Sequence, residues 1–208
     1  ESTSSTTTTL FEGRDGQDTF NVETISGTTT LYGDSANPEF QVGSYITPIV
    51  FAADTFRVGS DTGSVDPIPG STLDLIDGGR LNLFGGTGAG DIVSIYDTDD
   101  SKNNTGILTS VDLTGFGMDA GIFYEGFETL NLNQGSGSDT LYIESTHAGA
   151  TNILAGDGSD SYNINAISGV TVIQGQLGAD TFRVNYDRQG QQTDLSGVQS
   201  ALTLSGQG

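Results

Sequence analysis

Three aspartates, Asp139, Asp160 and Asp180, stand 21 and 20 residues apart, each closing a short glycine-bearing turn: QGSGSD, AGDGSD and GQLGAD. The same ending occurs at GRDGQDTFNV with Asp18: Gly-x-Asp, then Thr or Ser, an apolar residue, any residue, and Val or Ile. FAADTFRV keeps Asp54 with alanine in the glycine's place, and GGTGAGDIVSI keeps Asp91 with one extra turn residue. Aspartates in one column on stacked strands form a ladder of like charges about 4.8 Å apart. Such a ladder repels by roughly a kcal/mol per step even with solvent screening. A hard divalent cation removes that repulsion, and glycines let backbone carbonyls turn toward it. Calcium accepts about six to eight oxygens at roughly 2.3–2.6 Å in flexible geometry, whereas magnesium demands a tighter octahedron. The expected ion sites are therefore the adjacent intact turns of Asp139, Asp160 and Asp180. Gly and Asp are also good turn residues in their own right; the recurrence of Asp in one column favours the ion.

The elements that must position these turns are short strands. Phe20 and Val22, Leu141 and Ile143, Tyr162 and Ile164, and Phe182 and Val184 alternate with polar residues after each Asp. Before the turns, LNLN at 130–133, TNIL at 151–154 and TVIQ at 171–174 alternate too, placing Leu132, Ile153, Ile173 and Leu204 at equivalent positions. Period-two alternation bounded by glycine reads as half-buried strand. Two strands every 20 or so residues, with no helical spacing between, predict coils stacked into a solenoid, since one coil cannot bury its apolar face alone. The expectation is an all-β fold, a parallel β-roll or β-solenoid with roughly 20-residue coils and calcium-binding Gly-x-Asp turns on one edge. Residues 1–12 read as a Ser/Thr-rich linker or capping strand, and 13–208 as a single repeat domain cut from a larger chain. A turn at Ala36 and Pro38 is degraded, with a strand at 39–42 on schedule, and 96–128 departs from the period as a loop and inserted strand pair.

QGSGSDTLYI, AGDGSDSYNI and GQLGADTFRV resemble the GGxGxDxUx repeats of the RTX, or hemolysin-type, calcium-binding proteins, where U is a large apolar residue. The resemblance covers about half the chain and is best at 130–184. It implies calcium held in the turns by carboxylates and carbonyls, with the final Asp mapping onto Asp18, Asp139, Asp160 and Asp180, and more weakly onto Asp91 and Asp54. The middle glycine maps onto Gly16, Gly137, Gly158 and Gly178, so the calcium ligands the resemblance implies are Asp139, Asp160 and Asp180 with Gly137, Gly158 and Gly178, then Asp157, Asp18 and Asp91. The chain departs from the family in carrying one leading glycine and in a period of 20 rather than nine. That arrangement is similar to the calcium solenoids of giant bacterial surface adhesins, and it implies a segment that folds outside the cell when calcium is available.

Composition narrows the function further. Six Lys and Arg against 27 Asp and Glu give a net charge of −21, which excludes a nucleic-acid backbone binder and disfavours docking on anionic lipid. There is no Cys and a single His, His147, which removes thiolate chemistry and most zinc and His-dependent catalysis. YDTDDSKNN at 96–104 lacks the Gly and Glu of an EF-hand and reads as a solvated loop, with an accessory ion as the alternative. Glu125 and Glu128 read as a solvated strand face rather than an acid/base pair, and His147 as an exposed turn residue. The expectation is a non-enzymatic calcium-binding module, secreted or at the cell surface, monomeric as a fragment. It serves as a stiffened structural or adhesive segment that meets surface glycans or neighbouring repeats. The alternatives are an ice- or carbohydrate-binding solenoid and an accessory module of an extracellular enzyme.

Overall fold

Alternating apolar and polar residues build two facing sheets in the computed structural model, which describes residues 9–14, 16–34, 52–59 and 72–207. The degraded turn at 36–38, the strand expected at 39–42 and residues 1–8 lie outside these. Strands are numbered in chain order. The first sheet runs β1 (Thr9–Glu12), β3 (Thr29–Tyr32), β5 (Leu81–Phe84), β9 (Ile122–Glu125), β8 (Asp112–Gly115), β7 (Thr105–Leu108), β11 (Thr140–Ile143), β13 (Ser161–Ile164), β15 (Thr181–Val184). The second runs β2 (Thr19–Val22), β4 (Thr55–Val58), β6 (Ile92–Tyr96), β10 (Thr129–Asn133), β12 (Ala150–Leu154), β14 (Thr171–Leu177), β16 (Leu202–Gln207). The chain crosses from one sheet to the other at nearly every turn, so the molecule is a parallel β-solenoid. Thr9–Glu12 is a strand of that stack, paired with β3.

Register follows the alternation. Leu132, Ile153, Ile173 and Leu204 pair in one inner row, and Leu141, Tyr162 and Phe182 in another. Between the sheets lie Leu83, Ile95, Leu132, Ile143 and Ile153, closed to solvent. Each such side chain stabilises the stack by about 1.5–3 kcal/mol. Rings extend the rows: Phe20 stacks on Phe56 at 4.8 Å and Tyr162 on Phe182 at 5.4 Å. On the outer face Tyr32 and Phe84 also stack, 4.7 Å apart and 11° from parallel.

The inserted strand pair exists, and its placement has a consequence. After β6 the chain forms β7, turns back as β8 antiparallel to it, and turns again into β9 before crossing to β10. All three strands lie in the first sheet. Of the strands that follow a Gly-x-Asp-type turn, β2, β4 and β6 therefore sit in the second sheet but β11, β13 and β15 in the first. Phe20 and Val22 do not share a strand set with Leu141 and Ile143, as the repeat alone implies; they pair with Phe56 and Val58. The Asp turns accordingly occupy both edges of the solenoid, not one.

Candidate functional site

Each aspartate that closes a turn sits just before a strand, so its backbone N–H points along the stack at the next coil. On one edge the Asp18 N–H donates to Asp54 Oδ1 at 2.8 Å, and the Asp54 N–H to Asp91 Oδ1 at 2.7 Å. The Asp91 N–H then donates to Glu128 Oε2 at 2.7 Å. On the opposite edge the Asn104 N–H donates to Asp139 Oδ1 at 2.8 Å, and the Asp139 N–H to Asp160 Oδ1 at 2.7 Å. The Asp160 N–H donates to Asp180 Oδ1 at 3.0 Å. Two carboxylate ladders thus run along the molecule, each rung satisfying a backbone donor that no strand partner reaches.

The second oxygen is different. Oδ2 of Asp18, Asp54, Asp91, Asp160 and Asp180 is buried with no hydrogen-bond partner. Asp54, Asp91, Asp139 and Asp160 are themselves between 0 and 3% exposed. Glycine closes over the oxygen: a Cβ on Gly13, Gly33 or Gly175 would stand 2.4, 2.2 or 2.0 Å from Oδ2 of Asp18, Asp54 or Asp180. A buried carboxylate with one unmet oxygen resists ionisation. Burial pushes Asp91, Asp139 and Asp160 up to about 6, against the lowering effect of the backbone N–H each accepts. Repulsion along the ladder adds to this, from Asp54 on Asp91 and from Asp139 and Asp180 on Asp160. Asp54 moves the same way, again chiefly through burial.

The middle glycines answer a steric need rather than a need to expose carbonyls. A Cβ on Gly137 would lie 1.8 Å from Lys102 O, one on Gly158 2.2 Å from Gly137 O, and one on Gly178 1.6 Å from Gly158 O. Gly158 and Gly178 also have φ of +128° and +131°. Gly178→Ala should cost about 2–3 kcal/mol through strain and forced separation of the turns. Gly16→Ala should cost less, because nothing lies within 4 Å of a Cβ there although φ is +108°. Urea melts of the two variants check that ranking. Asp157 is exposed on the rim of its turn, its backbone bridging to Leu177, and does not join the row of Asp139, Asp160 and Asp180.

The loop at 96–104 is solvated only in part, with Asp99, Ser101, Lys102 and Asn103 exposed. Asp97 is 0% and Asp100 7% exposed. Asp97 Oδ1 accepts the N–H of Leu73 at 2.8 Å, at the start of a 3-10 turn, Leu73–Leu75, that folds over the loop. Asp100 accepts the Lys102 N–H and the Asn104 side-chain amide, each at 2.8 Å. Lys102 pairs with Asp74. Asp97 Oδ2 and Thr98 Oγ1 are buried without partners. Burial pushes Asp97 up to about 7, with Asp100, Asp139 and Asp74 adding to the rise.

Glu128 is likewise no idle strand-face residue: its carboxylate takes the N–H groups of Gly90 and Asp91 and ends the first ladder. Glu125 is exposed at the end of β9. His147 is half-buried, not exposed; its ring packs edge-on against Tyr124 at 6.1 Å, its Nδ1 lies 3.3 Å from Thr151 Oγ1, and burial lowers its pKa. No group of three or more His, Asp or Glu side chains among the described residues converges closely enough to hold a metal by itself. No helix among them is long and apolar enough to cross a membrane. No family model, no curated protein and no solved structure matches the chain.

Proposed function

We propose that this chain is a calcium-binding structural segment of a secreted or cell-surface protein, a solenoid stiffened by ions along its aspartate ladders. One observation carries the reading. Successive coils each place a buried carboxylate beside the next, with one oxygen of Asp18, Asp54, Asp91, Asp160 and Asp180 left unpartnered. Buried charges are paired or coordinate metals, and no described Lys or Arg is hydrogen-bonded to these carboxylates. The donors are all oxygen, which suits a hard cation. Because no three acidic side chains among the described residues converge at one point, each ion would be held between two neighbouring coils, by successive pairs along the Asp139, Asp160, Asp180 row and the Asp18, Asp54, Asp91 row, with turn carbonyls completing the set. Bound calcium would keep these carboxylates ionised and cancel their repulsion. The role is mechanical and adhesive, toward surface glycans or neighbouring repeats, without catalysis by the chain's own residues.

The test is a pair of thermal melts followed by circular dichroism, in chelator and in millimolar calcium. An ion that binds only the folded state adds about 2.7 kcal/mol per site at a hundred times Kd. The melting temperature should rise by about 10 °C or more, since 1 kcal/mol moves a chain of this length by roughly 2–4 °C. Superimposable melts would remove calcium and leave a turn-rich solenoid.

A further inference from the structure

Between β6 and β7, where the chain begins its change of edge, lie buried polar groups that the ladders do not use. Asp97 to Asp100 form a turn, closed by the Asp100 N–H on Asp97 O at 3.0 Å. Asp97 is fully covered. One of its carboxylate oxygens takes the Leu73 N–H; the other, Oδ2, is buried with no hydrogen-bond partner. The hydroxyl of the next residue, Thr98, is buried and unpartnered too. Negative charge surrounds the same carboxylate, since Asp100, Asp139 and Asp74 all oppose ionisation of Asp97. The chain's single lysine, Lys102, sets its ammonium on Asp74. A buried carboxyl in such a place either keeps a proton or takes a cation. The Thr98 hydroxyl favours the cation. A protonated Asp97 would have an O–H to give, and the hydroxyl beside it does not receive one.

We propose that Asp97 Oδ2 and Thr98 Oγ1, with Asp100 as the second charge, hold one calcium ion at this junction, apart from the ladders. The Asp100 oxygens accept the Lys102 N–H and the Asn104 amide, and each keeps a further lone pair for a cation. Three carboxylates do not converge here, so the hydroxyl is an essential donor of the set. Backbone carbonyls and water supply the rest of a shell of about six to eight oxygens. The inference rests on the proposed function in taking calcium as the ion, but it uses none of the ladder aspartates as ligands. Its place gives it a task. The Leu73–Leu75 turn folds over Asp97, and its Asp74 meets both Lys102 and the turn at Gly117 that leads from β8 to β9. An ion under Leu73 therefore fastens the 3-10 turn, the loop and the β7–β8–β9 insertion together, at the point where the Asp turns pass from one edge of the solenoid to the other.

The test is equilibrium dialysis of the 208-residue chain at a series of free calcium concentrations, with Asp97→Asn, Thr98→Ala and Thr98→Ser. Each variant is also made in an Asp160→Asn, Asp180→Asn background. Asp97→Asn keeps an oxygen for the Leu73 N–H and puts an amide NH₂ in place of Oδ2. It should stay folded by circular dichroism and bind one ion fewer in both backgrounds. Thr98→Ala should weaken that ion about tenfold, and Thr98→Ser, which keeps the hydroxyl, should restore it. Glu125→Gln, which removes an exposed charge at the end of β9, should leave the count as it was. Failure of the second ladder reads differently: the Asp160→Asn, Asp180→Asn pair would leave the count unchanged while Asp97→Asn still removed one ion. Equal counts with and without Asp97→Asn would overturn the proposal. So would a Thr98→Ser protein that binds as weakly as Thr98→Ala. An Asp97→Asn chain that melts higher in chelator and in calcium alike would also overturn it, identifying Asp97 as a buried acid that keeps its proton.

Discussion

Acidifying the ion-free protein from about pH 7.5 to about pH 5 should raise its melting temperature by roughly 5–10 °C. The carboxyls of Asp91, Asp139 and Asp160 are pushed up to about 6 and that of Asp97 to about 7, from an ordinary 3.8. Because the folded pKa is the higher one, the native state binds protons that the unfolded chain has released, and stability must fall as pH rises. The loss accumulates from the ordinary carboxylate range up to about 7 and persists above it. Discounted for nearby solvent, each of these groups is worth on the order of 1 kcal/mol. In calcium the sign reverses. The ion favours the ionised form, acid competes with it, and the melting temperature should fall over the same interval. Melts at five or six pH values in chelator and in calcium read both slopes. The Asp91→Asn, Asp160→Asn double variant separates the ladders from general surface charge, because it should shrink both slopes while Asp139 and Asp97 keep the remainder. Slopes of one sign in the two buffers would contradict an ion in the ladders.

Asp160 is the aspartate where single substitutions should act most strongly, and the two obvious replacements should diverge. Asp160→Ala removes the acceptor of the Asp139 N–H and leaves a buried donor unpaired, at a cost of about 1–3 kcal/mol with or without calcium. Asp160→Asn keeps that acceptor and deletes a charge that Asp139 and Asp180 both oppose. It should therefore raise the melting temperature in chelator and lower it in calcium. Asp180→Ala should cost less than Asp160→Ala, because Asp180 is only half-buried at the end of its row. Chemical melts of the three variants in both buffers give the comparison; an Asp160→Asn protein less stable than the unaltered chain in chelator would mean the ladder carries no repulsion to relieve.

Much of the fold is legible in the sequence because a β-solenoid repeats its local pattern. DTLYI, DSYNI and DTFRV place Leu141, Tyr162 and Phe182 in register before any coordinate is known, and the structure pairs them so. What a repeat cannot show is which edge a turn occupies. Asp91 and Asp139 lie 48 residues apart, not a multiple of the 20–21 that separates Asp139, Asp160 and Asp180. The excess is the β7–β8–β9 meander, whose single antiparallel strand shifts the later turns by half a coil. Asp97 was illegible for another reason: it is capped by the N–H of Leu73, 24 residues earlier, whose turn folds over it. Glu128 left a signal. It precedes Thr129–Leu130 as Asp139 precedes Thr140–Leu141, which is the position of a rung.

The most direct measurement is calcium retained per chain after equilibrium dialysis against millimolar calcium, compared with the Asp139→Asn, Asp160→Asn, Asp180→Asn triple variant. The ladders predict at least one tightly held ion in the unaltered chain and a lower count in the variant, which should remain folded by circular dichroism because each Asn still accepts its backbone N–H. Calcium no higher inside the dialysis bag than the net charge alone requires, or an equal count in both proteins, would contradict the claim that the aspartate ladders are its binding sites.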